Sequence, residues 1–486
     1  MINCFIPFLS LPQARQTVRA LGLCDRIKNI YLLATEKIPD EVEGCEMLMI
    51  DSPASTATFR TIALHADTAY TLLYTKYTAF EPGQFAFERL LAIAGDTNAG
   101  MLYADRYLLK NGNSQQAPVI DYQKGSLRDD FDFGSLLFFR SSVLKQAVRA
   151  MDADYRFAGL YDLRLRVSEL AELVHVNEYL YSEVETDIRK SGEKLFDYVD
   201  PKNRAVQIEM EAVCTAYLKR VGGYLAPDFE PVTFDAGGFE QEASVIIPVR
   251  NRIRTIEDAI CSVLAQKTTF RFNLIIVDNH STDGTSEAIG KYTADGRVVH
   301  LVPERSDLGI GGCWNVGVHH PACGKFAVQL DSDDVYSGPD TLQKIVDAFY
   351  EQNCAMVVGT YRMTDFKMNE IPPGIIDHRE WTLENGRNNA LRINGLGAPR
   401  AFYTPVLRRI NLPNTSYGED YALGLRISRT WRIGRIYDVL YLCRRWEDNS
   451  DAALDVVKMN GHNIYKDRIR TWELQARIAL NAHSPK

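Results

Sequence analysis

Three carboxylates stand within four residues at Asp331-Ser332-Asp333-Asp334, directly after the apolar run FAVQL and shortly before Pro339. The run reads as a buried strand, and the loop at the carboxyl end of such a strand is where open α/β sheets hold ligands. Hard divalent cations such as Mg²⁺ and Mn²⁺ take oxygen ligands, commonly shared between a few carboxylates and a substrate's phosphates. A cation there could bridge a pyrophosphate and offset the charge that develops as it leaves. An acidic triplet alone is usually a solvated loop, so its place after a strand is what singles it out. A second acidic pair, Glu419-Asp420, opens the stretch EDYALGLRIS, which reads as a helix. A carboxylate there can accept a proton from a hydroxyl in a transition state, and a helix N-terminus favours its ionised form. The plainer reading of the pair is that it complements the helix dipole.

The elements that must carry these residues follow from hydrophobic pattern. ASVIIPV (243–249), FNLIIVD (272–278), VVHLV, KFAVQLD and CAMVVGTY read as strands. Between the first two, Ile256, Ala259, Ile260, Val263 and Leu264 form one helical stripe, with Thr255 and Asp258 expected as a capping box. NHSTDGT suits a turn into a helix N-terminus, and residues 340–352 read as a further helix. Alternating strands and helices with apolar strands predict an α/β domain on a mainly parallel sheet, with helices on both faces.

The first half repeats this order. NCFIPF (3–8) matches SVIIPV (244–249), LFDYVD (195–200) matches ALDVVK (453–458), and LRVS (165–168) matches LRIS (425–428). Near-constant offsets predict an internal duplication. Aligned with Lys76 on Asp333, the first copy of the acidic loop reads Tyr74-Thr75-Lys76-Tyr77. An ammonium cannot coordinate a cation and repels it. The same alignment sets Leu160 opposite Asp420, and nothing near YLLATEK (31–37) matches NHSTDGT. Residues 1–225 are therefore expected to be a degenerate, non-catalytic domain, closed by a helix over 201–221 that Asp200 caps. The Pro/Gly/acid-rich 226–242 is expected as a linker, and 243–486, with a C-terminal helix, as the catalytic domain.

Four stretches in order, ASVIIPVRNR, IIVDNHSTDGTSE, VQLDSDDVYSGP and LPNTSYGEDYALGLRI, resemble the inverting family 2 glycosyltransferases of the GT-A fold over about residues 243–447. The resemblance implies two tandem GT-A-like domains, a nucleotide-sugar donor (a UDP-sugar first), a divalent metal (Mn or Mg) and direct displacement at the anomeric carbon. Carried over by position, Pro248, Val249, Arg250 and Arg252 would line the nucleotide pocket, Asp278 and Asn279 would meet the base, and Asp331 the ribose. Ser332 and Asp333 would also contact the donor, and Asp333 would hold the metal with Asp334 close by. Asp420 would be the general base, flanked by Glu419, and Gly395 and Gly397 would face the acceptor.

The chain departs from the family pattern in three places. Asn279 replaces the acid that contacts uracil in many relatives, and offers both a donor and an acceptor. Trp314-Asn315-Val316-Gly317 lacks the arginine many relatives carry there, and Trp314 reads most simply as core. Trp446 stands where relatives often have a histidine near the metal, with His462 weighed as a substitute.

Composition narrows the setting. A chain of 486 residues, 46% hydrophobic and 24% charged, fits a folded protein of two or three domains. A net charge of −8 speaks against a general nucleic-acid surface. No apolar run approaches the ~18 residues of a membrane span, and MINCFIPFLSLPQ lacks a signal peptide's basic start. Nine cysteines without a CxxC pair read as reduced thiols, so the expected location is the cytoplasm or the inner face of its membrane. The expected partners are the donor and a glycan or lipid-linked acceptor. The basic RTWRIGR leaves peripheral membrane association open, and the first half offers a surface for homo-oligomers. Two other functions stay open: a bifunctional polysaccharide synthase, and a nucleotide-sugar-binding protein without turnover.

Overall fold

The computed structural model describes residues 1–37, 40–110, 112–184, 203–235, 237–446 and 455–483. They fall into two compact units, the first made of the described residues within 1–190, 204–223 and 455–474, the second of those within 191–203, 224–454 and 475–486.

The first unit is built on β1 (Ile2–Pro7), β2 (Ile27–Ala34), β3 (Glu46–Met49), β4 (Tyr70–Tyr74), β5 (Phe80–Pro82), β6 (Met101–Lys110), β7 (Asn113–Ala117), β8 (Leu136–Arg140) and β9 (Leu173–Val184). Their order is β3-β2-β1-β4-β8-β6-β9-β5, with β7 on β6. The second unit has β10 (Ala243–Val249), β11 (Phe272–Asp278), β12 (Val298–Leu301), β13 (Phe326–Gln329), β14 (Val335–Tyr336), β15 (Met356–Thr364), β16 (Glu370–Ile376), β17 (Arg400–Tyr403) and β18 (Ile433–Arg444). Here the order is β12-β11-β10-β13-β17-β15-β18-β14, with β16 on β15. Strand for strand, the two sheets have one topology. Parallel β10, β11, β12 and β13 form one side, and antiparallel β17 joins them to the parallel pair β15 and β18.

Apolar residues on both sides of each strand explain the layering. In the first unit Cys4 and Ile6 pack with Leu72 and Leu102 on one face, while Phe5 packs with Tyr31, Leu73 and Tyr103 on the other. In β10 and β11, Val245, Ile246, Ile247, Leu274, Ile275 and Ile276 are all fully buried. Strands covered on both faces read as continuous apolar runs.

Sheet register corrects one alignment. Phe5 of β1 faces Leu73 of β4, and Ile246 of β10 faces Gln329 of β13. Leu73 therefore stands for Gln329, and Thr75, Lys76 and Tyr77 for Asp331, Ser332 and Asp333. Lys76 is one residue out of the position that matching the two loops by sequence gives it. Counted from the equivalent positions Leu73 and Gln329, the first copy takes one residue more to reach β5 than the second takes to reach β14. The absence of carboxylates from the first loop is unchanged. At the other end, the helices Gly159–Leu170 and Glu419–Ser428 start alike ahead of β9 and β18, which does set Leu160 opposite Asp420.

Three further expectations change. Residues 226–242 do not run free: Val232 is buried, Glu230 N–H donates to Thr430 O at 2.9 Å, and Phe234 packs edge-on against Phe326 and Tyr403. Their aromatic content outweighs their prolines and glycines. The C-terminal helix, Val456–His483, was expected with 243–486, but its residues to Leu474 group with the first unit. There the fully buried Asp467 accepts from Ser126 Oγ and Arg470, both at 2.9 Å. Buried charges persist only when paired, so these contacts hold the segment. The capping box does not form: the Thr255 hydroxyl donates to Arg252 O at 3.4 Å, and Asp258 is taken by Arg444 Nη1 at 2.7 Å. Asp200, Pro201, LFDYVD and the start of ALDVVK lie outside the described residues; the helix described there is Arg204–Arg220.

Candidate active site

The acidic loop leaves β13 at Gln329 and enters β14 at Val335, so β13 and β18 position it from two sides. Its carboxylates diverge. Asp331 Oδ1 accepts from Gln329 Nε2 at 2.9 Å, and its backbone N–H donates to Tyr441 Oη at 3.1 Å. Asp333 Oδ2 accepts from Trp446 Nε1 at 3.2 Å and lies 3.9 Å from Arg252 Nε. Asp334 is buried, its Oδ1 taking the Arg444 backbone N–H at 2.7 Å. Burial, then repulsion from Asp333 and Asp331, pushes Asp334 well above the usual carboxylate range. Burial raises Asp331 as well, against the pull of Arg400 and Gln329. Ser332 is buried between them.

The three acids thus do not converge on one point. Among the described residues, the ligand atoms of three such groups come within 4.8 Å of one another at Cys24, Asp25 and Glu88 of the first unit, and not at this loop. The donor set still fits a hard cation. Asp333 offers a partly exposed carboxylate beside Asp331 and Asp334, and Mg²⁺ and Mn²⁺ are commonly held by one or two carboxylates with phosphates and water completing the shell.

Asp420 meets this loop through two residues that sequence reading missed. Arg400, the first residue of β17, ion-pairs with Asp420 Oδ2 and donates to Gly397 O at 3.1 Å. Its backbone N–H donates to Gln329 Oε1 at 3.2 Å, and the same amide's nitrogen side holds Asp331. Asp331, Gln329, Arg400 and Asp420 therefore form one connected chain. An arginine opening one strand and a glutamine closing another carry no local signal; only the pairing of β13 with β17 brings them together.

Glu419 and Asp420 occupy the first turn of the helix Glu419–Ser428, entered through Gly418 at φ 78°. Glu419 is buried, with an unpartnered Oε2, and is pushed up to about 8 by burial and then by the Asp420 charge. Helix Ile310–His319 packs close by. A Cβ on Gly311 would lie 2.0 Å from Pro413 O and 3.1 Å from Glu419 Cβ, so only glycine admits this approach. A raised folded-state pKa means that between about pH 4.5 and 8 the folded protein keeps a proton the unfolded chain has released. Stability from this group is full below that window and lost as pH rises through it. Glu419→Gln should flatten the fall of Tm with rising pH, leaving the variant a few degrees ahead above pH 8. Parallel thermal melts of the two proteins across that range would refute this.

The nucleotide-side residues separate into two groups. Val249 is buried in β10, where its carbonyl takes the Asn279 N–H at 2.8 Å; Pro248 is half-buried and Arg250 exposed. Asp278, expected at the base, is fully buried. Although burial pushes it up, hydrogen bonds from Ser281, Ser286 and His300 hold it below the usual range, so it organises the turn. Asn279 donates from Nδ2 to Leu308 O at 2.8 Å, leaving a buried Oδ1 without a partner. The amide thus presents Oδ1 as an acceptor, as an acid would, beside the second N–H of Nδ2. The loops 250–255 and 279–285 hold each other, Arg252 N–H donating to Thr285 Oγ1 at 2.8 Å. Trp314 is core, edge-on to Phe402 at 5.9 Å, and Asn315 exchanges hydrogen bonds with Leu412. Gly397 has φ 102°, the left-handed region, with His378 against its α-carbon. His462 belongs to the first unit.

Residues 244–409 match the family model described as Glycosyl transferase family 2. A glycosyltransferase of Rickettsia felis is 30% identical over 200 residues, 40% of this chain and 32% of the relative. TuaG of Bacillus subtilis strain 168, by name a teichuronic acid biosynthesis glycosyltransferase, is 33% identical over 120 residues, 25% of this chain and 46% of TuaG. The chain thus spans less than half the length of these relatives. S. aureus TarS, solved with UDP-GlcNAc, aligns at 22% identity over 47% of this chain and 70% of that one, with a TM-score of 0.38. Residues 244–409, within the second unit, thus match the family 2 glycosyltransferases.

Proposed function

We propose that the second unit transfers a sugar from a nucleoside-diphosphate donor, a UDP-sugar first, to an acceptor hydroxyl with inversion at the anomeric carbon. The observation that carries this is the chain Asp331–Gln329–Arg400–Asp420, which sets a general base and an acidic loop on one connected framework. Asp420 accepts the acceptor's proton as its oxygen attacks the anomeric carbon. The bond from that carbon to the donor's phosphate oxygen breaks, and the diphosphate leaves on the opposite face. Arg400 orients Asp420 and balances its charge before the proton arrives. Asp333, with Asp334 behind it, would hold the cation, which when bound supplies charge stabilisation to the leaving diphosphate.

The buried acceptor of Asn279 suits a base that presents an N–H, as uracil does. Thr75, Lys76 and Tyr77 in place of the acids support a first unit without a second transferase site, left to position acceptor, partner or another copy. The name of TuaG supports a surface polysaccharide, or its lipid-linked precursor, as the acceptor class. No helix among the described residues is long and apolar enough to cross a membrane, and work at the cytoplasmic face of one is part of the proposal.

Thermal-shift measurements with UDP-, GDP- and ADP-sugars, each with and without Mn²⁺, test the donor. Ligands of the native state raise Tm by mass action, so a UDP-sugar with Mn²⁺ should give the largest rise. Equal shifts for all bases would remove the UDP assignment, and no shift with any donor would remove the transferase reading.

A further inference from the structure

The link from β10 to its following helix carries three arginines, Arg250, Arg252 and Arg254, in six residues, whereas the equivalent link of the first unit, Phe8–Ser10, has three residues and none. The fold closes without these arginines, so they serve something the second unit alone does. Two of them converge on one aromatic ring. The Arg254 guanidinium lies 4.9 Å and that of Arg252 5.8 Å from the Trp446 ring centroid. Phe366 extends the platform, edge-on to Trp446 at 5.2 Å and 5.5 Å from the Arg254 guanidinium.

The platform is tied to the acidic loop by the indole N–H of Trp446, which donates to Asp333 at 3.2 Å. It is anchored below by buried Arg444, which joins Asp258 at 2.7 Å and the Asp333 carbonyl. A guanidinium stacked by its face on an aromatic ring keeps its N–H groups in a plane parallel to the ring, directed outward past its edge, where they form a fork suited to phosphate oxygens. Arg254 is exposed and Arg252 partly so, which places this fork at the lip of the acidic loop.

We infer that Arg254 and Arg252, seated on Trp446, bind the diphosphate of the donor, so that this chain grips the leaving group with its own cations as well as through Asp333. The inference rests on the reading of the second unit as a nucleoside-diphosphate site. Trp446, in the place where relatives often have a histidine, takes no part in coordination. It orders the two arginines and pins the Asp333 carboxylate.

Calorimetric titration of the full chain in EDTA, with UDP, uridine and inorganic pyrophosphate as probes, tests this. Wild type should bind UDP at least tenfold tighter than uridine, and should bind pyrophosphate whichever base the donor carries. Arg254→Ala should lose about tenfold in affinity for UDP and pyrophosphate and leave uridine unchanged. Trp446→Ala should match that loss, and Trp446→Phe, which keeps the ring, should stay within about twofold of wild type. Equal UDP affinity in wild type and Arg254→Ala overturns the inference, as does a wild type that binds no pyrophosphate; circular dichroism melts identify any variant that has unfolded, in which case Arg254→Lys, which keeps charge but not the stacked fork, replaces it with the same expected loss. The outcome separates from that of the transfer reading. Arg254-dependent pyrophosphate binding without donor turnover removes the transferase and keeps the anion site, while turnover without Arg254-dependence does the reverse.

Discussion

Asp420→Asn should lower kcat for sugar transfer about a thousandfold while leaving the donor's KM within a few-fold. Asparagine keeps the shape of the side chain and loses the ability to take a proton, and a positioned general base is worth about 10²–10⁴ in rate. On the proposed reading the donor is held by other elements, the acidic loop after β13 and the loops after β10 and β11, so its binding should be spared. The variant also leaves Arg400 without its ion pair. Burial disfavours the charge on Arg400, and Asp420, then Asp331 and Glu419, sustain it. A measurable loss of Tm is therefore expected beside the loss of rate. Initial rates of nucleotide release at saturating donor decide the matter. Wild-type turnover from Asp420→Asn would mean that the proton goes elsewhere.

The second large effect is expected at Asp333. Asp333→Ala should cost at least a hundredfold in kcat/KM and abolish the Mn²⁺-dependent part of UDP binding. Stabilising charge on a leaving diphosphate is worth several kcal/mol, and each ~1.4 kcal/mol is tenfold. Asp333 is partly exposed and its loss should leave the fold intact. Asp334→Ala should behave differently: that carboxyl is buried and takes the Arg444 N–H at 2.7 Å, so its removal should lower Tm by several degrees before any effect on the metal is seen. Titration of UDP with and without Mn²⁺, set beside thermal melts, separates the two. Equal Mn²⁺-dependence in wild type and Asp333→Ala would place the cation elsewhere.

Asp333 and Asp420 are legible in the sequence because each sits at the junction of a strong local pattern with a polar break. FAVQL must be a buried strand, so the acids after it lie at a sheet edge. EDYALGLRIS must be a helix, so its first acids lie at an N-terminus. The duplication is legible for the same reason, since apolar strand words survive wherever both faces of a sheet are covered. Local patterning also places Trp314 in the core.

Tertiary structure decided what depends on pairing between distant strands. Register set Ser332, not Asp333, opposite Lys76, because a loop alignment by eye can slip where a strand fixed by its neighbour cannot. Gln329 and Arg400 became part of the site because β13 lies beside β17, about seventy residues on. Asp258 left its expected cap for Arg444, 186 residues away. The helix ending the chain found partners for Asp467 in the first unit, and Phe234 turned an apparent linker into packing. By itself, the sequence determined the strands, the helices and the two acidic positions, since these arise from periodicity and capping within a few residues. The ion pairs, the arginine platform and the divergence of the three carboxylates are set by which distant surfaces meet, and a buried charge takes the partner that lies nearest in space.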